Sequence, residues 1–319
     1  MRDSRSRGLA AITLMVLLAP LVACERAPAP QADTDATAWC DALPRPANAA
    51  LETVDVGSDW YTVYRIEPGV FAIVEPRQFQ EAISYLIVGT TRALLFDTGI
   101  GLVPLRPTVE RLTTLPVTVL NSHTHFDHVG ANAEFSDILA MDTPFTRANE
   151  QGRPHADLAG EVDATSFCGA PPPGTDTAAF RARPFTVTRR IADGDSIVLG
   201  DRTLVVRAAP GHTPDALVLH DPAHGLLWTG DSYYDSTLWL FSPGTDLAAY
   251  ERSIERMVAL VPTLRRLLPA HNTATAEPAR LTAVLEAVRT MRAGGGERTP
   301  EGAGRERVRV GDVTFMIAK

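Results

Sequence analysis

Short apolar and β-branched runs, separated by Pro and Gly, begin near residue 60 and recur along most of the chain. Runs of this length and composition predict β-strands. They form a first series at 60–66, 69–75, 83–88, 93–96, 115–120 and 138–141, a second at 185–191, 196–199, 203–208, 216–220 and 225–228, and a last pair within 308–316. Helical spacing predicts helices at 107–115, 143–151, 246–260 and 277–291. Two series of strands, each followed by helices, predict an α/β fold with two packed sheets and helices outside.

The first residues have the pattern of a targeting segment. A basic start precedes an apolar stretch at 9–22, which is too short for a good membrane span. The stretch ends in Leu-Val-Ala-Cys24, which resembles the lipobox of bacterial lipoproteins, so we expect 1–23 to be a signal peptide and Cys24 to be lipidated. Glu25, where an Asp would resemble an inner-membrane retention signal, favours the periplasmic face of the outer membrane, with the lipid as the only membrane contact.

Composition then divides the rest of the chain. Residues 24–50 are rich in Ala, Pro, Asp and Thr without periodicity and predict a flexible tether, which leaves 51–319 as the folded domain. Within that domain, 152–184 loses periodicity and predicts an irregular insertion, of the kind that often forms a lid. Two further cysteines, Cys40 and Cys168, could pair in an oxidising compartment, but the position of Cys40 in the tether leaves the pairing open.

The strand predicted at 115–120 is followed by a dense cluster of metal-binding residue types, His123, His125, Asp127 and His128. Positions two apart on an extended chain face the same way, so His123 and His125 should point together. Asp127 and His128 come after the turn and can point elsewhere. Imidazole nitrogen and carboxylate oxygen are the ligands that zinc takes, so the complete pattern predicts two adjacent metal ions where a lone histidine would not.

Three more candidate ligands each follow an apolar run and a small or turn-forming residue. His212 lies in Pro-Gly-His-Thr, Asp231 in Thr-Gly-Asp-Ser, and His271 in Pro-Ala-His-Asn. Each therefore sits at a predicted strand end. Together with the cluster after the 115–120 strand, they supply what a two-metal site needs.

In motif order and spacing, residues 60–290 resemble the metallo-β-lactamase-fold hydrolase superfamily. The resemblance implies a four-layer αββα sandwich and two zinc ions, with iron or manganese as alternatives. It also implies how the ligands divide: His123, His125 and His212 at the first metal, Asp127, His128 and His271 at the second, and Asp231 bridging both.

The resemblance further implies residues that act beside the metals. Asp97 would orient a ligand imidazole from behind, although an Asp before a Gly is also a common turn residue. Asp127 would pass a proton to the leaving group. Tyr234 would donate to the oxyanion, with Tyr233 as the alternative. The aromatic residues after Asp231 could line an apolar acyl pocket or belong to the core: Tyr233, Tyr234, Trp239 and Phe241.

The acidic balance of the chain argues against nucleic acid as a partner. The formal net charge is −8, and removal of 1–23, which holds three Arg and one Asp, makes it −10. No basic patch is present that could neutralise phosphates. We therefore expect a small-molecule substrate, and the sequence leaves the oligomeric state open.

Three functions remain. The resemblance implies a dinuclear hydrolase that uses a metal-bridging hydroxide to cleave a thioester, lactone or ester. Asp231 favours this function, because it resembles the glyoxalase II, lactonase and acyl-thioesterase branches, although only 48 residues follow His271, too few for glyoxalase II proper. The first alternative is an exported metallo-β-lactamase. The second is a non-catalytic binding module, which the complete ligand set disfavours. Asp215-Ala216, directly after the His212 motif, departs from the Gly-Ser that is common there, whichever branch is considered.

Overall fold

The computed structural model describes residues 37–319. The predicted signal peptide, the candidate lipidation site Cys24 and the first part of the predicted tether lie outside the described residues. The strands are β1 Glu52–Val54, β2 Thr62–Glu67, β3 Val70–Val74, β4 Ile83–Val88, β5 Ala93–Phe96, β6 Val117–Leu120, β7 Ile138–Met141, β8 Arg189–Ile191, β9 Ser196–Val198, β10 Thr203–Ala208, β11 Leu217–Asp221, β12 Leu226–Gly230, β13 Leu238–Leu240, β14 Arg266–Pro269, β15 Glu297–Glu301, β16 Arg305–Val310 and β17 Val313–Ala318.

The helices are few and lie between the strands. They are α1 Arg106–Leu112, α2 Phe126–Val129, α3 Pro144–Asn149, α4 His155–Leu158, α5 Leu247–Val258 and α6 Arg280–Arg292. None of the helices in the described part of the chain has the length and apolar character needed to cross a membrane.

Two large sheets form the centre of the molecule. The first has eight strands in sequence order from β1 to β8, and the second has five strands in the order β14-β12-β11-β10-β9. Apolar side chains from the facing surfaces of both sheets pack into one core, in which Tyr85 of β4 and Trp228 of β12 meet edge to face at 6.5 Å. The burial of these β-branched and aromatic faces is what holds the two sheets together.

Each sheet has a second buried face, which helices cover. Val109 of α1 and Val129 of α2 pack on the outer face of the first sheet, and Ile254 of α5 and Val288 of α6 pack on the outer face of the second. The layers are therefore helix, sheet, sheet and helix, which confirms the predicted αββα sandwich. A third sheet, in the order β13-β17-β16-β15, packs beside α6 through residues such as Phe315.

Most strand predictions agree with the structure, but some do not. The strand predicted over 185–191 is confined to Arg189–Ile191, and the expected last pair belongs to the four-stranded third sheet. A strand end is expected before His271, where β14 lies, but the sequence pattern misses β1 and β13 because each is only three residues long. Runs this short carry little periodicity.

The end of the predicted tether, residues 37–50, packs against the domain. It forms 3₁₀ turns at Ala38–Ala42 and Pro46–Asn48, and a disulfide joins Cys40 to Cys168 of the insertion with their Cα atoms 5.6 Å apart. Buried Asn48 accepts a hydrogen bond from the backbone N–H of Ala274 at 2.9 Å. This contact lies three residues after His271, so the segment braces a loop that carries a candidate ligand.

Candidate metal centre

The candidate ligands lie on loops that follow the carboxyl ends of four strands. The loop after β6 carries His123 to His128, and the loops after β10, β12 and β14 carry His212, Asp231 and His271. β5 and β6 are parallel neighbours, as are β12 and β14, so their loops leave the sheets at common edges. Parallel strand ends are where side chains from distant parts of a chain converge.

Three imidazoles form the first group. Nδ1 of His125 lies 3.0 Å from Nε2 of His123 and 3.0 Å from Nε2 of His212. His123 and His212 are buried, and these nitrogens can serve one ion. The predicted orientation of His123 and His125 is thus what the structure shows: both rings point to one place.

The second group combines a carboxylate with two imidazoles. Nε2 of His128 lies 3.3 Å from Nε2 of His271, and Oδ2 of Asp127 lies 3.5 Å from the former and 3.7 Å from the latter. All three side chains are buried and can serve one ion. The short helix α2 begins at Phe126, which turns Asp127 and His128 away from the preceding pair.

Asp231 lies between the two groups. Its Oδ2 is 3.4 Å from Nε2 of His212, whereas its Oδ1 is 3.0 Å from Nε2 of His271 and 3.3 Å from Nε2 of His128. One oxygen therefore faces each group, as expected of a carboxylate shared by two metals.

The hydrogen bonds of two imidazoles, on the side of each ring that faces away from Asp231, show why cations fit between the two groups. Nδ1 of His271 donates to the carbonyl of Gln80 at 2.6 Å, and Nδ1 of His212 donates to the carbonyl of Trp239 at 2.8 Å. With those protons on Nδ1, each Nε2 presents a lone pair to Asp231. Oδ1 of Asp231 is buried and, within residues 37–319, has no hydrogen bond. Oδ1 of Asp231 lies 3.0 Å from Nε2 of His271, so two hydrogen-bond acceptors face each other. This contact is favourable only if a cation or an added proton lies between them.

The pKa shifts in the site follow from burial and from the carboxylates. Burial holds the pKa of His123 and His125 well below the ordinary imidazole value and also lowers the pKa of His212. Burial acts in the same direction on His128 and His271, but the carboxylates of Asp231 and Asp127 together outweigh it, and the pKa of both is raised. The first group is therefore neutral and ready to bind metal, whereas at the second group a metal ion competes with protons.

Asp97 contacts both ends of the loop after β6, which carries His123 to His128 and is called the metal loop below. Its Oδ1 accepts the backbone N–H of Ser122 at 2.7 Å, and its Oδ2 accepts the Ser122 hydroxyl at 2.8 Å and faces Nδ1 of His128 at 3.0 Å. Gly230, directly before Asp231, packs on the same serine, and a Cβ there would lie 2.7 Å from Cβ of Ser122. The two loops can meet only because this position is a glycine.

An open cavity of about 260 Å³ leads to the candidate ligands. Aromatic side chains and polar groups from several loops line it, including Phe79, Arg153, Glu161, Tyr234, Trp239 and Phe241. Arg153 and Glu161 belong to the predicted insertion, so this segment forms part of the cavity wall.

The two candidate tyrosines face different surroundings. Tyr234 lines the cavity, with its ring 5.0 Å from that of His271, and its hydroxyl accepts the backbone N–H of Trp239 at 3.1 Å. Burial raises the pKa of Tyr234 well above its ordinary value, so the phenol keeps its proton. Tyr233 packs in the core of the second sheet, and Nε of Arg280 lies 3.3 Å from its hydroxyl.

Sequence reasoning missed several residues that the structure brings to the site. Gln80 and Trp239 hold ligand imidazoles through backbone carbonyls, which no side-chain motif can reveal. Ser122 lies beside the metal-binding cluster, but its contacts with Asp97 depend on the pairing of β5 with β6. Arg153 lies in a segment without periodicity.

Comparisons with known proteins show the family to which the chain belongs. A model of the metallo-beta-lactamase superfamily matches residues 82–292. The acyl-coenzyme A thioesterase MBLAC2 of Homo sapiens is 31% identical over 238 residues, which cover 69% of this chain and 84% of the relative, and that of Gallus gallus is 29% identical over 228 residues, covering 67% and 81%.

Solved structures share the fold at lower sequence identity. The metallo-beta-lactamase family protein TTHA1429 of Thermus thermophilus is 20% identical, with a TM-score of 0.51 over 72% of this chain and 82% of its own. The archaeal superfamily protein ST1585 of Sulfolobus tokodaii is 16% identical, with a TM-score of 0.50 over 74% and 91%.

Proposed function

Because the chain belongs to the metallo-beta-lactamase superfamily, we propose that it is a two-metal hydrolase that cleaves the acyl bond of a small thioester, lactone or ester. The observation that carries the proposal is the position of Asp231, with one oxygen toward each group of imidazoles. The similarity to acyl-coenzyme A thioesterases makes thioesters the first substrates to test.

The donor atoms determine which ions fit. His123, His125 and His212 would hold one ion, and Asp127, His128 and His271 the other, with Asp231 shared. Nitrogen and carboxylate donors suit zinc, with iron or manganese as alternatives. When bound, such ions supply an activated water and stabilise negative charge on the substrate oxygen.

The chain itself would orient the substrate and move protons. Within residues 37–319 the Tyr234 hydroxyl donates no hydrogen bond, so its proton is free to bind the carbonyl oxygen as charge develops there. Asp127 lines the cavity and is our candidate for passing a proton to the leaving atom. The aromatic wall formed by Trp239 and Phe241 suits an acyl group.

Arg153 bears on the substrate class. It is exposed at the cavity wall and, in the part of the chain that the structure describes, makes no ion pair with a carboxylate. A guanidinium in this position suits a substrate that carries an anionic group beside its acyl bond.

A hydrolysis panel on metal-analysed protein tests the proposal. Acyl-coenzyme A, a neutral thioester, a lactone, an aryl ester and a β-lactam would be compared on the same preparation. We expect acyl-bond turnover with about two metals bound per chain. Efficient β-lactam turnover without thioester or ester turnover would instead support an exported metallo-β-lactamase. Two bound metals with no turnover of any compound would support a binding module.

We also propose that the protein is exported and anchored by lipid through Cys24, on the periplasmic face of the outer membrane. The sequence pattern at 9–24 supports this proposal. Cys24→Ser should block maturation or release the protein from membranes. Lipid anchoring would be refuted if the Cys24→Ser variant fractionated with membranes as the wild type does and the wild-type amino-terminal peptide carried no acyl mass.

A further inference from the structure

A buried carboxylate outside the candidate ligand set joins the loops that carry the first group of imidazoles. Oδ2 of Asp215 accepts the hydroxyls of Thr124 at 2.6 Å and Thr146 at 3.1 Å, and its Oδ1 accepts the hydroxyl of Thr213 at 2.7 Å. All four side chains are at most 1% exposed. Within residues 37–319 no Lys, Arg or His pairs with Asp215, so these hydroxyls are what satisfies the carboxylate.

Each of the three threonines lies beside a part of the first group. Thr124 stands between His123 and His125 in the chain, and Thr213 directly follows His212. Thr146 belongs to α3 and follows Phe145, whose ring packs 5.7 Å from that of His125. Asp215 is therefore hydrogen-bonded to both loops that supply the first group. It is also hydrogen-bonded to α3, the helix whose Phe145 packs on the ring of His125.

A carboxylate suits this position better than another polar side chain. An ionised carboxylate only accepts hydrogen bonds, so all three hydroxyls must point toward it. The Thr124 hydroxyl then keeps its lone pairs for Nδ2 of Asn149, which donates to it at 3.1 Å. A glycine at position 215 would offer no side-chain acceptor and would leave the buried hydroxyls unsatisfied, at a cost in free energy.

We propose that Asp215 is a positioning residue that fixes the spacing of His123, His125 and His212, and so sets the affinity of the first metal position. The inference rests on the proposed two-metal function. It adds a residue that holds the ligands of the first metal position in place. The charge acts in the same direction, because this group consists of three neutral imidazoles and only a share of Asp231. A buried negative charge behind it favours a cation there.

The test is a titration of metal-free full-length protein with Co²⁺, in competition with a chromophoric chelator. The wild type should bind two ions. His212→Gln should weaken the first position and His271→Gln the second, so the spectral change lost in each variant belongs to that group. In Asp215→Ala we expect the affinity of the first position to fall about 10- to 100-fold, the range for residues that orient ligands, with the second position unchanged. Asp215→Asn, which keeps one acceptor oxygen, should recover part of the loss.

The chain offers a matched control at the opposite edge of the first sheet. Asp137 accepts the hydroxyls of Thr118 at 2.7 Å and Thr188 at 3.1 Å, but it lies before β7, away from the ligand loops. Asp137→Ala removes a carboxylate that also accepts threonine hydroxyls, in a smaller and more exposed cluster, and should leave both Co²⁺ affinities unchanged.

The outcomes separate the inference from the function on which it rests. Equal losses at both positions, or no loss in Asp215→Ala, would overturn the role of Asp215 while leaving the two-metal hydrolase intact. A wild type that binds fewer than one Co²⁺ would refute the proposed function itself. If Asp215→Ala does not fold, Thr146→Val removes one donor only, and a selective loss at the first position in that variant would support the same role. No loss in Thr146→Val and Asp215→Asn together would refute it.

Discussion

Oδ2 of Asp97 lies 3.0 Å from Nδ1 of His128, and this contact determines which nitrogen of that imidazole faces the carboxylate of Asp231. Asp97 also holds the backbone and hydroxyl of Ser122, so one side chain fixes both the start and the end of the metal loop. Its φ of 63° is a conformation that Asn tolerates, so Asp97→Asn changes the charge without breaking the turn.

The first prediction follows from this contact. In Asp97→Asn the imidazole of His128 loses its carboxylate acceptor, and metal affinity at the Asp127, His128 and His271 group should fall about 10- to 100-fold. The same Co²⁺ titration measures the loss. Because Asp97→Asn and Asp215→Ala should weaken different positions, the two variants control for each other. The same pattern of loss in both would contradict the two assignments.

The second prediction concerns Asp231. Asp231→Asn keeps the size of the side chain but removes its negative charge and one of two acceptor oxygens, so the metals repel more strongly and the second binds less tightly. We expect thioester, lactone or ester turnover to fall at least about 100-fold. Steady-state kinetics with metal analysis would measure the change. Efficient β-lactam turnover that survives the substitution would favour the β-lactamase alternative.

The third prediction separates the two tyrosines. Tyr234→Phe removes the only cavity-facing phenol proton of the pair, and we expect kcat to fall about 10²- to 10³-fold with bound metal unchanged. Tyr233→Phe is the matched control, since its hydroxyl lies at Arg280, and kcat should be unchanged. If the two variants behave alike, Tyr234 does not bind the substrate oxygen.

The fourth prediction concerns the disulfide between Cys40 and Cys168. The double variant with Ser at both positions should lose about 2–4 kcal/mol of unfolding free energy, the usual range for a bridge that closes a long loop. Backbone contacts such as Cys168 N–H to the carbonyl of Arg77 at 2.9 Å should keep the insertion in place, so bound metal should be retained. KM should change, because the same insertion lines the cavity. Denaturant unfolding and kinetics measure both effects, and a loss of metal would show that the bridge supports the centre itself.

The fifth prediction concerns pH and Glu75. Burial raises the pKa of its carboxyl to about 7, despite hydrogen bonds from Nε1 of Trp60 at 2.8 Å and the N–H of Ile100 at 2.9 Å. Because the folded pKa exceeds the unfolded value, the folded state binds more protons, and the contribution of Glu75 to stability is lost as pH rises from about 4.5 to about 7. The shift corresponds to about 3 kcal/mol.

Glu75→Gln should remove this part of the pH dependence. Unfolding free energies of both proteins at about pH 5 and about pH 8 give the comparison, and the difference between them should favour the wild type more at the lower pH. Equal differences at the two pH values would show that Glu75 titrates normally.

The positions of most strands and the residues that gather at the candidate metal centre could be predicted from sequence, because each depends largely on local signals. Apolar runs bounded by Pro and Gly mark the strands, and the turn after β6 places its histidines and Asp127 by chain geometry alone. The last two strands of the third sheet could be expected, but its edge strand β13 could not be predicted, since it pairs with β17, more than seventy residues later, over only three residues. A pairing so distant and short leaves no periodic pattern.

The supporting contacts of the site were harder to predict for a different reason. The role of Asp97 could be expected from its resemblance to a known pattern, but the role of Asp215 could not, because its three donors come from three separated segments. Gln80 and Trp239 contact the imidazoles through backbone carbonyls. Because every residue type has a backbone carbonyl, no sequence signal marks these two positions.

The centre draws its candidate ligands from both sheets, and this has a consequence for when metal can enter. His123 to His128 follow the first sheet, whereas His212, Asp231 and His271 follow the second. No complete group exists until His212 or His271 has joined the loop after β6, and the second group waits for β14, which is the last strand of its sheet along the chain. Under the proposed function, metal would therefore bind only after the two sheets have docked, and the ions present in the compartment where folding finishes would decide which metal the protein acquires.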